Sequence, residues 1–395
     1  MNNTNIRHCP VCGASGGRIV HRQRFLDGPL CDGYDVLVCT NCGMGFADGI
    51  PPQSKMDRYY SEQSKYSYDH MDGAESVWDI KRFEATAEQL IPHLNTQKAR
   101  ILDIGCATGG LLSVFKKRGY GNVFGVDPSP GCAASASRLH GINVRIATLS
   151  ELYRWDEKFD LIMMLGVLEH LNSVKEAVNA AARLLSLGGR LYCAVPDVQG
   201  LATCPNAPYQ QFSIEHVNFF SATSLRRLLA ECGMDETGAW SWNIEWRQGV
   251  WEPIVSGLYE LRQPFVPPYD TTTETALQKY LEYSENEDKG LLRTVESLVE
   301  SREPVIVWGA GTLARRLLAN TRFNKVNFVA FVDSSPHLQS RSLAGLPVLR
   351  PSQIYERTEL ILICSISFEA EIAIAIRGQH KIMNRLLSLR GNFLS

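Results

Sequence analysis

The chain is predicted to be α/β. A doubly wound, mostly parallel sheet forms its middle, with a small cysteine-rich metal-binding domain before it and a smaller unit of the doubly wound kind after it. Three observations carry this. Short apolar strands and helical stretches alternate through tight turns from residue 80 to residue 245, the pattern of a parallel sheet wrapped by helices. Two glycine turns, at Gly105–Gly109 and Gly309–Gly311, each follow an apolar strand and open a helix. Two C-x-x-C-G segments stand near the start of the chain. The predicted divisions are 1–78 for the metal-binding domain with a tyrosine-rich segment, 79–245 for the central domain, 246–302 for a helical linker and 303–395 for the last domain.

Composition narrows the classes. A formal charge of −2 offers no basic field for nucleic acid or a membrane surface. No run approaches the roughly 18 apolar residues of a spanning helix, and M-N-N-T-N-I-R-H lacks the apolar core of a signal peptide. Eleven cysteines in 395 residues are too sparse for a disulfide scaffold. The expectation is a soluble, cytoplasmic, multidomain protein with a small-molecule substrate, and with neither nucleic acid nor membrane as partner.

Cys9-Pro-Val-Cys12-Gly and Cys39-Thr-Asn-Cys42-Gly are separated by 26 residues. Paired thiolates three positions apart bind one metal when the chain turns tightly, and the glycine after each pair permits that turn. Four soft ligands favour tetrahedral zinc, and a filled shell leaves no position open for catalysis. The predicted role is structural, because so short a stretch folds around metal rather than around a core of its own. Cys31 and His8 fall outside the spacing and are read as non-ligands. The following run, Asp57 to Tyr68, is polar and rich in tyrosine. Two readings fit: a surface helix packing its tyrosines on a neighbour, or a segment lining a substrate cleft, with Tyr60 and Tyr66 as candidate substrate contacts.

The central domain opens with Arg100-Ile-Leu-Asp103-Ile-Gly105-Cys106-Ala107-Thr-Gly109-Gly110. Ile101 to Ile104 reads as a buried strand, Gly105 as the turn, and the next helix points its free N–H groups over that turn. Asp127 ends the second strand 22 residues beyond Gly105. An acid there accepts both hydroxyls of a ribose, although Asp127-Pro128 would also serve as a helix N-cap. Strands follow at Asn143–Ile146, Phe159–Leu165 and Arg190–Val195, with a helix over Lys175–Leu187 between the last two.

L-D-I-G-C-A-T-G, then G-V-D-P, F-D-L-I with L-E-H, and L-L-S-L-G-G-R-L together resemble class I S-adenosylmethionine (SAM)-dependent methyltransferases, over about 120 residues in order. The resemblance implies a Rossmann-like domain in which Asp103, Gly105, Cys106 and Gly109 serve the methionyl and ribose part. It places Asp127 on the ribose hydroxyls, Thr148 and Leu149 beside the adenine, and Leu165 at the pocket wall. Ala107 stands where many members have the middle glycine of G-x-G-x-G, and its methyl group costs little provided φ is negative. The cofactor brings its own electrophile, so the protein has to align a nucleophile and remove a proton. Glu169-His170 belongs to the general pattern, and His170 reads first as a packing residue. Glu215-His216, in an aromatic run after the fifth strand, is the stronger catalytic pair, a histidine oriented by a carboxylate. The competing reading is a cap for the helix at Ser221–Cys232.

In the last domain, Val305-Ile-Val-Trp-Gly309-Ala-Gly311-Thr-Leu-Ala314 fits G-x-G-x-x-G/A, and Asp333 ends a strand 22 residues after Gly311. This Rossmann-like half unit binds one nucleotide, through Gly309, Gly311 and Asp333, or uses its glycines for packing alone.

A four-cysteine knuckle, a methyltransferase core and a C-terminal G-A-G domain, in this order, resemble the zinc-containing nucleotide-sugar C-methyltransferases of deoxysugar biosynthesis. The resemblance implies a nucleotide-linked keto sugar as substrate, deprotonated beside its keto group and then methylated. The family's Y-H-E-H segment is Ser213-Ile214-Glu215-His216 here, so only the last two positions match. O- or N-methylation of another small molecule, with His216 activating a hydroxyl, is the alternative. A non-catalytic zinc-containing scaffold is a third reading, opposed by the intact Gly105, Gly109 and Asp127 set.

Overall fold

The computed structural model describes residues 7–63, 74–204, 206–339 and 341–394. The chain forms two compact units, one of residues 1–20, 36–204 and 216–277, the other of residues 21–35, 205–215 and 278–395. Among the described residues no helix is long and apolar enough to cross a membrane.

The first unit begins with β1 (Gly17–Arg24), β2 (Gly33–Cys39) and β3 (Gly45–Asp48), the first two of which run on into the second unit. Helices α1 (Gln53–Gln63) and α2 (Val77–Leu90) follow. Ser76 starts α2 with a capping box, its hydroxyl accepting from the Asp79 N–H while the Asp79 carboxylate accepts from the Ser76 N–H. Then come β4 (Ile101–Ile104), α3 (Gly110–Lys117), β5 (Val123–Asp127), α4 (Pro130–His140) and β6 (Val144–Ile146). The remaining elements are β7 (Phe159–Leu165), α5 (Val174–Arg183), β8 (Leu185–Pro196), β9 (Asn218–Phe219), α6 (Ala222–Glu231), β10 (Met234–Arg247) and β11 (Val250–Leu261).

Seven of these strands form one sheet in the order β10-β11-β8-β7-β4-β5-β6. From β8 to β6 all neighbours are parallel, whereas β11 is antiparallel to both β8 and β10. Chain order reverses between β4 and β7, so a crevice opens at their carboxyl ends, the place where doubly wound sheets bind ligands. Alternation along β7 covers both faces. Leu161 and Met163 join the core under α3 with Leu112 and Phe115, while Ile162 and Met164 join the opposite core with Val178 and Leu228. Cys9, Val11 and Phe46 belong to that second core. The small N-terminal sheet, ordered β1-β2-β3-β9, thus shares apolar contacts with the large one.

Two expectations change. The helix predicted over Lys175–Leu187 ends at Arg183, because Leu185 pairs with Phe159 and starts β8. Ladder pairing with a buried neighbour overrides the local helical pattern of the leucines. Residues 250–261, assigned by sequence to a helical linker, are β11, whose inner half is fully buried between β8 and β10.

The second unit is built on most of the long helix α7 (Thr273–Ser301), which starts within the first. It continues with β12 (Val305–Trp308), α8 (Thr312–Asn320), β13 (Phe328–Val332), β14 (Ser342–Leu343), β15 (Leu346–Leu349), β16 (Leu360–Ile363), α9 (Glu369–Ile374), β17 (Leu386–Ser388) and β18 (Phe393–Leu394). Its sheet is ordered β14-β15-β13-β12-β16-β17-β18, parallel from β15 to β17 and closed by an antiparallel strand at each edge. A buried ion pair fastens α7 to α8: both Arg316 terminal nitrogens reach the Asp288 carboxylate, at 2.6 and 2.7 Å.

Candidate active site

The turn after β4 is held from two sides. The Gly105 N–H donates to Val126 O at 2.8 Å, and the Ala107 N–H to Asp127 Oδ2 at 2.9 Å. The other Asp127 oxygen accepts the Ser129 N–H at 2.9 Å. Ser129, not Asp127, caps α4, through a hydroxyl that accepts from the Cys132 N–H. Gly105 has φ +77°, and a Cβ there would stand 2.6 Å from Val167 Cγ2, so only glycine fits beneath the loop that follows β7. Ala107 has φ 45°, which overturns the expectation of a negative value: this alanine sits in the left-handed region that a glycine would occupy without strain. Cys106 is also placed differently from expectation. Its side chain is buried in the core, where a Cβ on Gly125 would stand 2.6 Å from the sulfur, so any service to a ligand falls to its main chain. Thr148, Leu149 and Leu165 are half-buried, at or just past the carboxyl ends of β6 and β7.

Beside this turn, three predicted or sidelined residues come together. The Tyr60 hydroxyl, from α1, is 2.9 Å from His170 Nδ1. The His170 and His216 rings stand 4.8 Å apart between centres at 71°, and His170 Nε2 lies 3.8 Å from Glu169 Oε1. His170 is therefore no mere packing residue. Its loop is tied to the His216 segment by the Val217 N–H donating to Glu169 O at 2.8 Å and by Asn218 Nδ2 donating to Leu168 O and Leu171 O, each at 2.7 Å. Arg7 locks the same junction, its guanidinium donating to Val217 O, Asn172 O and Asn218 Oδ1 at 2.8 to 2.9 Å. Helix α1 is anchored there too, through the Asn172 N–H on Gln53 Oε1 at 2.9 Å. Arg7 and Asn218 carried no local signal in the sequence, since their partners lie 40 or more positions away. Ser221 caps α6, which removes the capping role considered for Glu215-His216. Glu215 falls in the other compact unit, where its N–H donates to Ser213 Oγ at 3.3 Å. Tyr66 lies outside the described residues.

Cys9, Cys12, Cys39 and Cys42 converge, with Cys9 and Cys42 sulfurs 3.6 Å apart and Cys12 and Cys39 likewise 3.6 Å apart. Sulfurs at the corners of a tetrahedron with metal bonds of about 2.3 Å stand about 3.8 Å apart, so the four thiols fit one ion. The Cys9–Cys42 contact draws the Cys9 thiol down and pushes the Cys42 thiol up, as two sulfurs sharing one proton do. Gly43 makes the turn at φ +82°; a Cβ would meet Asp270 O at 2.1 Å. The Asp270 N–H in turn donates to Cys42 O at 2.9 Å.

The second unit repeats the clamp of the first. The Gly309 N–H donates to Val332 O at 2.8 Å, the Ala310 N–H to Asp333 Oδ2 at 2.9 Å, and the Ser335 N–H to Asp333 Oδ1 at 2.8 Å. Arg315 Nε donates back to Ala310 O at 3.1 Å. Nothing lies within 4 Å of where a Gly311 Cβ would stand, so the start of α8 is open.

Residues 79–235 match the family model described as a methyltransferase domain, and residues 301–384 match one described as C2185-like, N-terminal. Among curated relatives, the ubiquinone biosynthesis O-methyltransferase of Agrobacterium fabrum is 36% identical over 107 residues, covering 26% of this chain and 42% of that protein. The protein of the same name from Alkalilimnicola ehrlichii is 38% identical over 99 residues, covering 23% and 39%. The chain thus spans about two fifths of the length of these relatives. A solved structure, magnesium protoporphyrin IX methyltransferase from Synechocystis PCC 6803 with bound SAM, is similar at 15% identity and a TM-score of 0.38, over 52% of this chain and 96% of that one. Residues 79–235 thus carry a domain of the methyltransferase type.

Two outcomes follow from the turn. Ala107→Gly should raise stability by up to about 1 kcal/mol, because relief of the left-handed strain exceeds the entropy that glycine loses; equal or lower stability in urea denaturation would show that the strain is absent. Burial holds the Asp103 carboxyl up at about 8, the Asp127 charge adding to the shift and Arg82 opposing it. The folded chain therefore keeps a proton that the unfolded chain loses near pH 3.8. Its contribution to stability is full below that pH and fades as pH rises towards about 8. Asp103→Asn should flatten stability across this window, and an unchanged slope in unfolding measurements at pH 5, 6.5 and 8 would count against the buried neutral acid.

Proposed function

We propose that the protein transfers a methyl group from SAM to the α-carbon of a nucleotide-linked keto sugar, with the His170–His216 pair taking the proton. The observation that carries this is the Tyr60–His170–His216 cluster, part of it on the loop after β7 that packs against Gly105. Asp127 would take the ribose hydroxyls, Gly105 and Gly109 would leave room for the methionyl part, and Asp103 would face its ammonium end. Thr148, Leu149 and Leu165 would border the adenine. SAM supplies an electrophilic methyl on a sulfonium, so the chain's own residues have only to orient the acceptor and remove its proton. A histidine packed against a second imidazole that a tyrosine hydroxyl holds in place, as His216 is against His170, is suited to that at neutral pH. His216 is the base in this reading, and Tyr60 with His170 holds the developing charge. The clamp of Gly309, Gly311 and Asp333 supports a nucleotide-holding role for the second unit, and Tyr66 remains a candidate substrate contact. Zinc in the four-thiol knuckle is a structural ion: four thiolates fill its shell, so it takes no part in the chemistry.

A hydroxyl acceptor is the second reading, favoured by the matched relatives, which are named O-methyltransferases. Solvent exchange separates the two. A keto-sugar nucleotide deuterated beside its carbonyl should lose the label to water in the presence of the protein, and His216→Ala should stop that loss. The same substitution should cut turnover by about 10²-fold or more while cofactor binding persists. A near-normal rate removes His216 from the base role; neither exchange nor C-methylated product hands the assignment to the hydroxyl acceptor.

The purified chain should contain one zinc by elemental analysis, and Cys39→Ser should lose it together with much of its thermal stability. A metal-free wild-type chain with unchanged melting would overturn the zinc assignment.

A further inference from the structure

The loop after β7 and the segment before β9 bring metal-type donors together well away in sequence from the cysteines. One carboxylate oxygen of Glu169 and one ring nitrogen each of His170 and His216 all lie within 4.8 Å of one another. The His170 Nε2 to Glu169 Oε1 separation is 3.8 Å. Donors around a tetrahedral ion with bonds of about 2.0 to 2.1 Å stand about 3.4 Å apart, so side-chain adjustments of roughly 1 Å close the set.

We infer that Glu169, His170 and His216 form a second metal site, selective for a divalent transition ion such as Zn2+, Co2+ or Ni2+. Two imidazoles and one carboxylate suit ions of that softness, whereas Mg2+ and Ca2+ favour all-oxygen sites. Tyr60 supplies the supporting contact that a ligating histidine needs. Its hydroxyl at 2.9 Å from Nδ1 holds the ring with Nε2 as the nitrogen on the Glu169 side. The backbone under the set is rigid, since the Val217 N–H on Glu169 O and the Asn218 amide on Leu168 O and Leu171 O fix the loop and the His216 segment in register. An ion held here occupies the imidazole lone pairs that would otherwise accept a proton. The site therefore acts as a metal-sensitive brake on methyl transfer. Only that effect on turnover rests on the proton-acceptor reading above; binding itself does not.

The test uses the full chain with its cysteine knuckle already filled with zinc, titrated with CoCl2. One further Co2+ should bind, with visible d–d absorption and no thiolate-to-metal charge-transfer band. It should vanish in His170→Ala and in His216→Ala, each checked for folding by retained SAM binding. Tyr60→Phe should weaken it by about 10-fold or more, and turnover should fall in step with Co2+ occupancy. Should a variant not fold, hyperfine-shifted imidazole proton resonances in the unsubstituted Co2+ form decide the matter. No further Co2+, or one that survives both histidine substitutions, overturns the site. If no Co2+ binds while His216→Ala still abolishes turnover, this inference fails and the proton-acceptor reading stands. Bound Co2+ with undiminished turnover keeps the site and overturns both the brake and the histidine base.

Discussion

The Asp127 carboxylate and the two backbone amides it accepts are the constraint on which the first unit depends. A buried carboxylate is stable only where donors replace its lost water, and here the Ala107 and Ser129 N–H groups do so. Because those amides belong to the turn after β4 and to the start of α4, one side chain fixes how two strand ends and two helix N-termini meet. Both helices then start at the carboxyl ends of parallel strands, where their partial positive charge is greatest. Burial raises the Asp127 carboxyl and the two amides offset part of that rise, while each oxygen keeps a lone pair.

A second junction holds Tyr60, His170 and His216 together. The loop carrying Glu169 and His170 has no regular ladder of its own, yet it is fastened by Val217, Asn218 and Arg7, whose donors end on its carbonyls or on its neighbours. Orphaned backbone carbonyls in a half-buried loop need partners, and side chains from distant stretches supply them. The same bonds bring the His170 and His216 rings within contact distance and set α1, with Tyr60, against them. The group is therefore a product of backbone satisfaction as much as of side-chain chemistry. Loss of Asn218 would loosen it without touching a reactive atom.

Much of the frame was legible in the chain. The glycine turn, the acid 22 residues on, and the alternation of strands and helices report short-range rules: a turn needs φ above zero, a strand alternates, a helix starts at a cap. Those rules found β4 through β7, both glycine turns and the convergence of the four cysteines. They failed where distant pairing decides. Leu185 left its predicted helix because Phe159 offered a ladder, and β11 went unseen because its burial comes from β8 and β10 rather than from its own pattern. The Tyr60–His170 contact was hidden for the same reason. Nothing around L-E-H announces that a tyrosine 110 positions earlier will reach it.

The two clamps show how little a local motif says about what it serves. Asp127 and Asp333 make the same pair of amide contacts, at distances that agree within 0.1 Å. Their surroundings differ. Beneath the loop after β7, Gly105 has no room for a side chain, and that loop carries the histidine. At the start of α8, Gly311 faces open space and Arg315 folds back onto Ala310 O, which leaves a bare helix start with no titratable cluster comparable to the His170 group among the described residues. The two turns differ in what packs over them, a loop with titratable side chains at the first and open space at the second, and the turn sequences themselves could not have distinguished them.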